Sequence, residues 1–306
     1  MIGLIAGAAL ACGLRAIWLE PASLTVAEER VGLRWPAPKP LRIAILTDLH
    51  VGSPFNGVSK LRRIVAATNE ARPDLICLLG DLVIQGVIGG RFVEPETIAA
   101  ELQQLHSGAT VEPKQLHSDA GARVEPKPFR SSTGVVAVLG NHDGWLDHDR
   151  VQRALEANGI LVVEDRAVRI ETAAGPIWIA GISDLWTGRH DIAAALASVP
   201  DDAAPVILLT HNPDVFPDVP ARVTLTLAGH THGGQVRLPL VGRPIVPSQF
   251  GQRYAAGHVV ESGRHLFVAT GLGTSILPVR FRVAPAITVL TLTSVDPVES
   301  TSRPDR

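Results

Sequence analysis

A chain of 306 residues, 46% of them hydrophobic, can bury a full core and fits one large α/β domain or two small ones. A formal net charge of −2 supplies no basic field, and no basic, aromatic-interleaved stretch occurs, which argues against a nucleic-acid partner and against a nuclease. The two cysteines, Cys12 and Cys77, give no disulfide framework, and Cys77 sits within an apolar run where a thiol behaves as a small hydrophobe.

The chain begins with MIGLIAGAALACGLRAIWLE, which is apolar for about the length of a bilayer-spanning helix, with Arg15 the only charge before Glu20. Residues 1–19 are therefore expected to be a membrane anchor or signal-like segment; a buried or amphipathic terminal helix is the alternative. The basic start of a cleaved signal peptide is missing, which favours an uncleaved anchor. Arg15, Arg30 and Arg34 follow the apolar run and nothing basic precedes it, so the expected location is an inner membrane with the main domain on its cytoplasmic side. Residues 20–40 read as a short strand-like stretch followed by a Pro-rich connector, together a linker.

From Leu41 the pattern is βαβ. LRIAILTD reads as a strand, VSKLRRIVAATNEA as a helix and DLICLLGD as the next strand. PETIAAELQQL supplies a helix before the strand GVVAVLGN, and RVQRALEANGI another after it. Continuous apolar strands separated by helices predict a mainly parallel sheet covered on both faces. LVVED, VRIETA, PIWIAGI, PVILLTH, TLTLAGH, HLFVATGL and AITVLTLT lie closer together and predict a second, mixed or antiparallel sheet packed on the first. The main domain is thus expected over residues 41–294. Within it, HSGATVEPK and HSDAGARVEPK repeat each other imperfectly, and residues 106–130 read as a duplicated insertion in a surface loop. Nothing fixes the geometry of its His106 and His117, which are not taken as ligands. The polar tail 295–306 is expected to be disordered.

Five of the apolar runs end on residue types that ligate metals: Asp48 and His50, Asp81, Asn141 with His142 and Asp143, His211, and His230 with His232. Residues two apart in a strand point to one side, so Asp48 and His50 can share an ion, and the same spacing recurs in His230 and His232. A glycine precedes Asp81 and Asn141, letting the backbone turn sharply there. Any one of these ends is compatible with a helix cap or a loop; five in order describe strands whose carboxyl ends converge. Seven ligands of carboxylate, amide and imidazole type suit two divalent ions better than one, with the two oxygens of Asp81 as the natural bridge.

The order D-x-H, G-D, G-N-H-D, H, G-H-T-H over residues 48–232 resembles the calcineurin-like metallophosphoesterase superfamily. The resemblance implies an α/β fold, a four-layer α/β/β/α sandwich of two mixed sheets. It implies Asp48, His50 and His232 on one ion and Asn141, His211 and His230 on the other, with Asp81 between them. The metals it implies are Mn²⁺ foremost, Fe or Zn²⁺. The reaction it implies is hydrolysis of a phosphodiester, pyrophosphate or phosphomonoester by a hydroxide shared between the ions. His142 would stabilise the transition state or protonate the leaving oxygen, and Asp143 would hold its imidazole in the useful tautomer. A non-catalytic metal-binding regulator would have lost His142 or a ligand; this chain keeps them all. His148, His190, His258 and His265 read as solvated or structural, and Asp184, which follows a strand end, as a supporting acid.

Beyond His232, GHTHGGQVRLP and GLGTSILPVRF resemble a membrane-associated bacterial branch of the superfamily. Some members cleave the pyrophosphate of UDP-2,3-diacylglucosamine in lipid A synthesis, and others are known as general phosphodiesterases. The partner expected on this basis is a phosphorylated small molecule or lipid. Arg237 and Arg280 are the first candidates for substrate phosphate, with Arg243 and Arg282 behind them, since guanidinium donors match phosphate oxygens.

Overall fold

A computed structural model describes residues 2–33, 39–111, 134–201 and 204–294. The Pro-rich connector at 34–38, most of the duplicated insertion including His117, and the tail 295–306 lie outside the described residues. The N-terminal segment winds as α1 (Ile2–Leu14), a π turn at Arg15–Leu19 and a last turn α2 (Glu20–Ala22). Among the described residues, no helix is long and apolar enough to cross a membrane.

Strand β1 (Thr25–Leu33) comes next, then β2 (Leu41–Leu46), α3 (Val58–Glu70), β3 (Leu75–Leu79) and α4 (Pro95–Leu102). A short β4 (Thr110–Val111) precedes β5 (Val135–Val138), α5 (Asn141–Ala157) and β6 (Leu161–Val162). The second half runs β7 (Arg166–Thr172), β8 (Gly175–Gly181), α6 (Ile192–Leu196), β9 (Val206–Leu209) and β10 (Leu225–Ala228). It closes with β11 (Gly257–Glu261), β12 (Arg264–Val268) and β13 (Ala286–Ser294).

Two mixed sheets result, one of six strands in the order β1-β13-β2-β3-β5-β6 and one of seven in the order β11-β12-β10-β9-β8-β7-β4. Strands β2, β3, β5 and β6 are parallel, as are β8, β9, β10 and β12. Alternation explains the layering. In β2, Leu41, Ile43 and Ile45 enter the core between the sheets, where Ile177, Ile179, Ile207, Leu209, Leu225 and Leu227 meet them. Ala44 and Leu46 point the other way and pack under α3, α4 and α5 through Leu61, Ile64, Ile98, Leu102, Val151 and Leu155. The outer face of the seven-stranded sheet is covered by α6 and short 3₁₀ turns, with Ala195, Phe216 and Tyr254 against Trp178, Leu208 and Leu266. The four-layer α/β/β/α arrangement expected from the sequence is present.

The linker assigned to 20–40 needs correction. Its strand-like stretch is β1, paired in parallel with the final strand from Thr25↔Ala286 to Leu33↔Ser294, and Val31 and Leu33 enter the inter-sheet core. Glu20 is equally integral, accepting the Val283 backbone N–H and pairing with Arg15 at 2.9 Å. Residues 20–33 belong to the main domain.

Candidate metal centre

The carboxyl ends of β2, β3, β5, β9 and β10 meet at one place and bring Asp48, His50, Asp81, His142, His211, His230 and His232 together. The backbone does unusual work there. Asp48, His50, Asp81, His230 and His232 all take positive φ, between 39° and 68°. A left-handed backbone costs a non-glycine residue on the order of 1 kcal/mol, and such strain gathers at functional sites. It turns each strand end abruptly while the ladder persists beyond it: Asp48 N donates to Gly80 O at 3.0 Å and His50 N to Asp81 O at 2.9 Å. Gly140 has a different reason. A Cβ there would collide with the Asp81 carboxylate, so glycine alone permits β5 to approach it.

Three overlapping groups of ligand atoms, each within 4.8 Å of one another, emerge among the described residues: Asp48, His50 and His232; His50, Asp81 and His142; and Asp81, His211 and His230. Asp81 Oδ2 lies 3.3 Å from His211 Nε2, 3.5 Å from His50 Nε2 and 3.9 Å from His142 Nε2. It thus faces imidazoles of both expected ligand sets. His232 Nε2 lies 3.3 Å from Asp48 Oδ1 and 3.1 Å from His50 Nε2, and His230 Nδ1 lies 3.2 Å from His211 Nε2.

Two imidazoles crowding nitrogen to nitrogen cannot both donate, which is the geometry of lone pairs gathered for a cation. Two buried acceptors, Asp48 Oδ1 and Asn141 Oδ1, have no hydrogen-bond partner. An orphaned buried oxygen is expensive unless a cation satisfies it. Two of the other ring nitrogens are anchored: His50 Nδ1 donates to Val83 O at 3.3 Å and His211 Nδ1 to Leu79 O at 2.7 Å, leaving both Nε2 atoms directed inward. These buried His and Asp clusters suit a dinuclear metal site.

Electrostatics point the same way. Burial pushes the His50 and His230 imidazoles down to about 3 and His232 well below the usual histidine range, so all three are neutral and able to ligate. Burial pushes the Asp48 carboxyl up to about 7. Burial also opposes ionisation of Asp81, but His211, His50 and His142 override it and hold that carboxyl well below the usual range. Burial would lower His211 too, yet Asp81 and Asp48 raise it to about 10. A proton on His211 therefore occupies the place a cation would take, and metal and proton compete. Apparent Mn²⁺ affinity is expected to rise about tenfold per pH unit from about 7 towards about 10, and more steeply below about 7, where Asp48 is protonated as well. Calorimetric titrations across that range check it; a pH-independent affinity would show that His211 does not bind the ion.

Several expectations change. Asp143 does not orient His142. Its Oδ1 accepts the Leu82 and Val83 backbone N–H groups at 3.0 and 3.2 Å and its Oδ2 that of Gly140 at 3.0 Å, while His142 Nδ1 has no partner. Asp143 is a clamp joining the loops after β3 and β5. Arg280 is not on an open loop but fully buried, donating to Gly273 O, Thr270 O and Val283 O, with Nη2 3.4 Å from His232 Nδ1. It braces the wall behind His232. Arg280→Ala is expected to destabilise the fold by roughly 3 kcal/mol, because those carbonyls lose their donors. Urea unfolding measures it; unchanged stability with a raised KM would restore the substrate role.

Arg237 and Arg282 are exposed and available to solvent, and Arg243 is half-buried with its Nε on Gly233 O at 2.8 Å. His148 is less solvated than expected: a 2.6 Å bond to Glu164 raises it to about 9. His258 and His265 stack on one another at the β11–β12 edge, away from the strand ends. His106 is exposed. Asp184 is buried, and its Oδ2 holds the turn that follows β8.

Two residues escaped the sequence reading. Trp145 lies with its ring 5.0 Å from that of His142, and Trp186 stands edge-on 4.5 Å from His230. The first had a signal, since positions three apart on a helix share a face. The second had none.

A family model described as calcineurin-like phosphoesterase matches residues 41–234. An uncharacterized metallophosphoesterase, YkuE of Bacillus subtilis, is 31% identical, the match covering 97% of this chain and 96% of that protein. The phosphodiesterase YaeI of Escherichia coli is 30% identical over 90% of each chain. A second uncharacterized Bacillus subtilis metallophosphoesterase, YkoQ, is 28% identical over 83% of this chain and 84% of its own. With the buried His and Asp clusters at the strand ends, these matches show that the chain belongs to the calcineurin-like phosphoesterases and is a metal-dependent phosphoesterase.

Proposed function

We propose that this protein is a dinuclear phosphodiesterase or pyrophosphatase, with Mn²⁺ as the working metal and a phosphoester at a membrane surface as its substrate. One observation carries the two-metal reading: a single Asp81 oxygen faces imidazole nitrogens of both ligand sets. Asp48, His50 and His232 would hold one ion and Asn141, His211 and His230 the other, with Asp81 shared between them. Bound there, the ions supply a water-derived nucleophile near neutral pH and neutralise charge on the phosphoryl oxygens.

The chain's own groups supply the rest. Burial lowers the His142 imidazole, so near neutral pH it is uncharged and carries a single N–H. From its place beside Asp81 it donates a hydrogen bond from that N–H to a phosphoryl or leaving oxygen and keeps the proton, stabilising the charge that develops there. Arg237, exposed on the loop that follows His232, meets an outlying phosphate. Asp143 keeps the Gly140–Asn141 turn in place.

Support for a diester comes from YaeI, named as a phosphodiesterase. Support for the membrane comes from apolar side chains standing in water near the site: Leu14, Ile17 and Trp18 of the N-terminal segment and Ile88, Leu240 and Ile276 of the loops. Backbone bonds tie these together, Ile88 N to Ile276 O at 3.0 Å and Arg280 N to Ala16 O at 2.9 Å. Leu240 and Ile276 hold positive φ, a strained way to expose an apolar chain and unusual for a β-branched residue. An acylated UDP-sugar at the cytoplasmic face of the inner membrane is the specific candidate.

The test is hydrolysis of a phosphomonoester, an alkyl phosphodiester, an aryl phosphodiester and an acylated UDP-sugar, each with Mn²⁺, with and without vesicles. Cleavage of diester or pyrophosphate over monoester is expected. Exclusive monoesterase activity would overturn the diesterase reading, and indifference of the acylated substrate to vesicles the membrane one.

A further inference from the structure

Two tryptophans remain half-exposed beside the site, and no part of the phosphoester chemistry described above requires either. Trp145 is 53% and Trp186 50% exposed, although both are large apolar rings that ordinarily find cover. Their planes lie within 21° of each other at a centroid separation of 6.2 Å. Each leans on a histidine of the centre, Trp145 on His142 and Trp186 on His230.

Both rings are held by built structure. Trp145 opens the second turn of α5, three residues beyond His142, and the helix breaks just after it at Asp147 (ψ 94°). Trp186 sits on a turn wound around Asp184 Oδ2, which accepts from Trp186 N at 2.9 Å, Thr187 N at 3.0 Å and Thr187 Oγ1 at 3.1 Å. Gly144 allows the two pieces to meet, since a Cβ there would stand 2.5 Å from Thr187 Oγ1. An exposed aromatic pair maintained in this way, one ring's breadth from a catalytic imidazole, is a binding platform waiting for a flat partner.

We propose that Trp145 and Trp186 form a leaving-group subsite that accepts a planar aromatic ring, a nucleobase or aryl group, linked to the scissile phosphate. The inference rests on the phosphodiesterase reading above. Stacking on indole selects flat π-systems without regard to their hydrogen-bonding pattern. The subsite therefore distinguishes aromatic from alkyl leaving groups and does not distinguish one base from another.

Kinetics on the Mn²⁺-loaded full chain test this with an aryl phosphodiester, a uridine phosphodiester and an alkyl phosphodiester. Trp145→Ala and Trp186→Ala are expected to raise KM for the aryl and uridine substrates roughly tenfold, with kcat little changed and the alkyl substrate unaffected. Trp→Phe should restore most of the loss. An equal loss on all three substrates would overturn the subsite and make the tryptophans structural. Failure of the unaltered chain on every diester would instead overturn the phosphodiesterase reading.

Binding then decides the subsite without turnover. UMP, phenyl phosphate and glycerol phosphate are titrated by calorimetry against the Mn²⁺-loaded full chain. The expected result is roughly tenfold tighter binding of the two aromatic phosphates, abolished in the double alanine variant. Equal affinity for all three would overturn the proposal.

Discussion

Asp81→Asn is expected to lower the metal content from two ions per chain to one or none, and to reduce turnover by about 10³ or more. The substitution is nearly isosteric, and an amide oxygen can still accept the His142 backbone N–H that Asp81 Oδ1 takes at 2.9 Å. The fold should survive. What disappears is the charge. Asp81 Oδ2 lies within 3.3 to 3.9 Å of three imidazole nitrogens, and an amide NH₂ placed there would point a donor at the cation position. Elemental analysis of the dialysed protein, beside circular dichroism, separates loss of metal from loss of fold. Retention of both ions would remove Asp81 from its shared position and require another bridge.

His142→Ala should behave in the opposite manner. Metal content stays at two per chain while kcat falls by about 10²–10³, the range associated with losing one hydrogen-bond donor aimed at developing charge. Two features support the separation. The backbone N–H of residue 142, which helps to fix Asp81, persists in alanine. The His142 Nδ1 atom engages nothing, so its removal unties no structural bond. Loss of an ion in this variant would make His142 a ligand, an outcome open to it because it shares a ligand-atom group with His50 and Asp81.

How much of this could be read from the chain depended on which interactions leave a trace in residue types. Strand ends that terminate in Asp, His or Asn are visible because ligands must be of those types; Asp48, His50, Asp81, His142, His211, His230 and His232 come together, and Asn141 Oδ1 is buried without a partner. Asp143 misled because adjacency in sequence is not adjacency in space: neighbouring residues on a helix diverge by roughly 100°. Its carboxylate serves three backbone donors of the surrounding loops while His142 faces the centre.

Arg280 misled for a related reason. Its partners are carbonyls, which every residue carries, so nothing in the sequence distinguishes a buried brace from a phosphate-binding arginine. The left-handed backbone of the ligands left no mark either, because it occurs at Asp and His and not at glycine. Strand β1 looked like linker because it is an edge strand with an exposed Thr25, Glu28 and Glu29, and among the described residues it pairs in the sheet with β13 alone.

That last pairing has a consequence for the order in which the protein can be made. Thr25 meets Ala286, and β13 lies between β1 and β2, so the first strand has no docking site until the last has left the ribosome. At roughly 5–20 residues per second, about 12–50 s of synthesis separates the two strands. Throughout that interval the apolar N-terminal segment and β1 are a solvent-facing, unpaired leader on a domain that is otherwise assembling. A membrane, a chaperone or the translocation machinery has that window in which to capture it, and nascent chains halted before residue 286 should present it for capture.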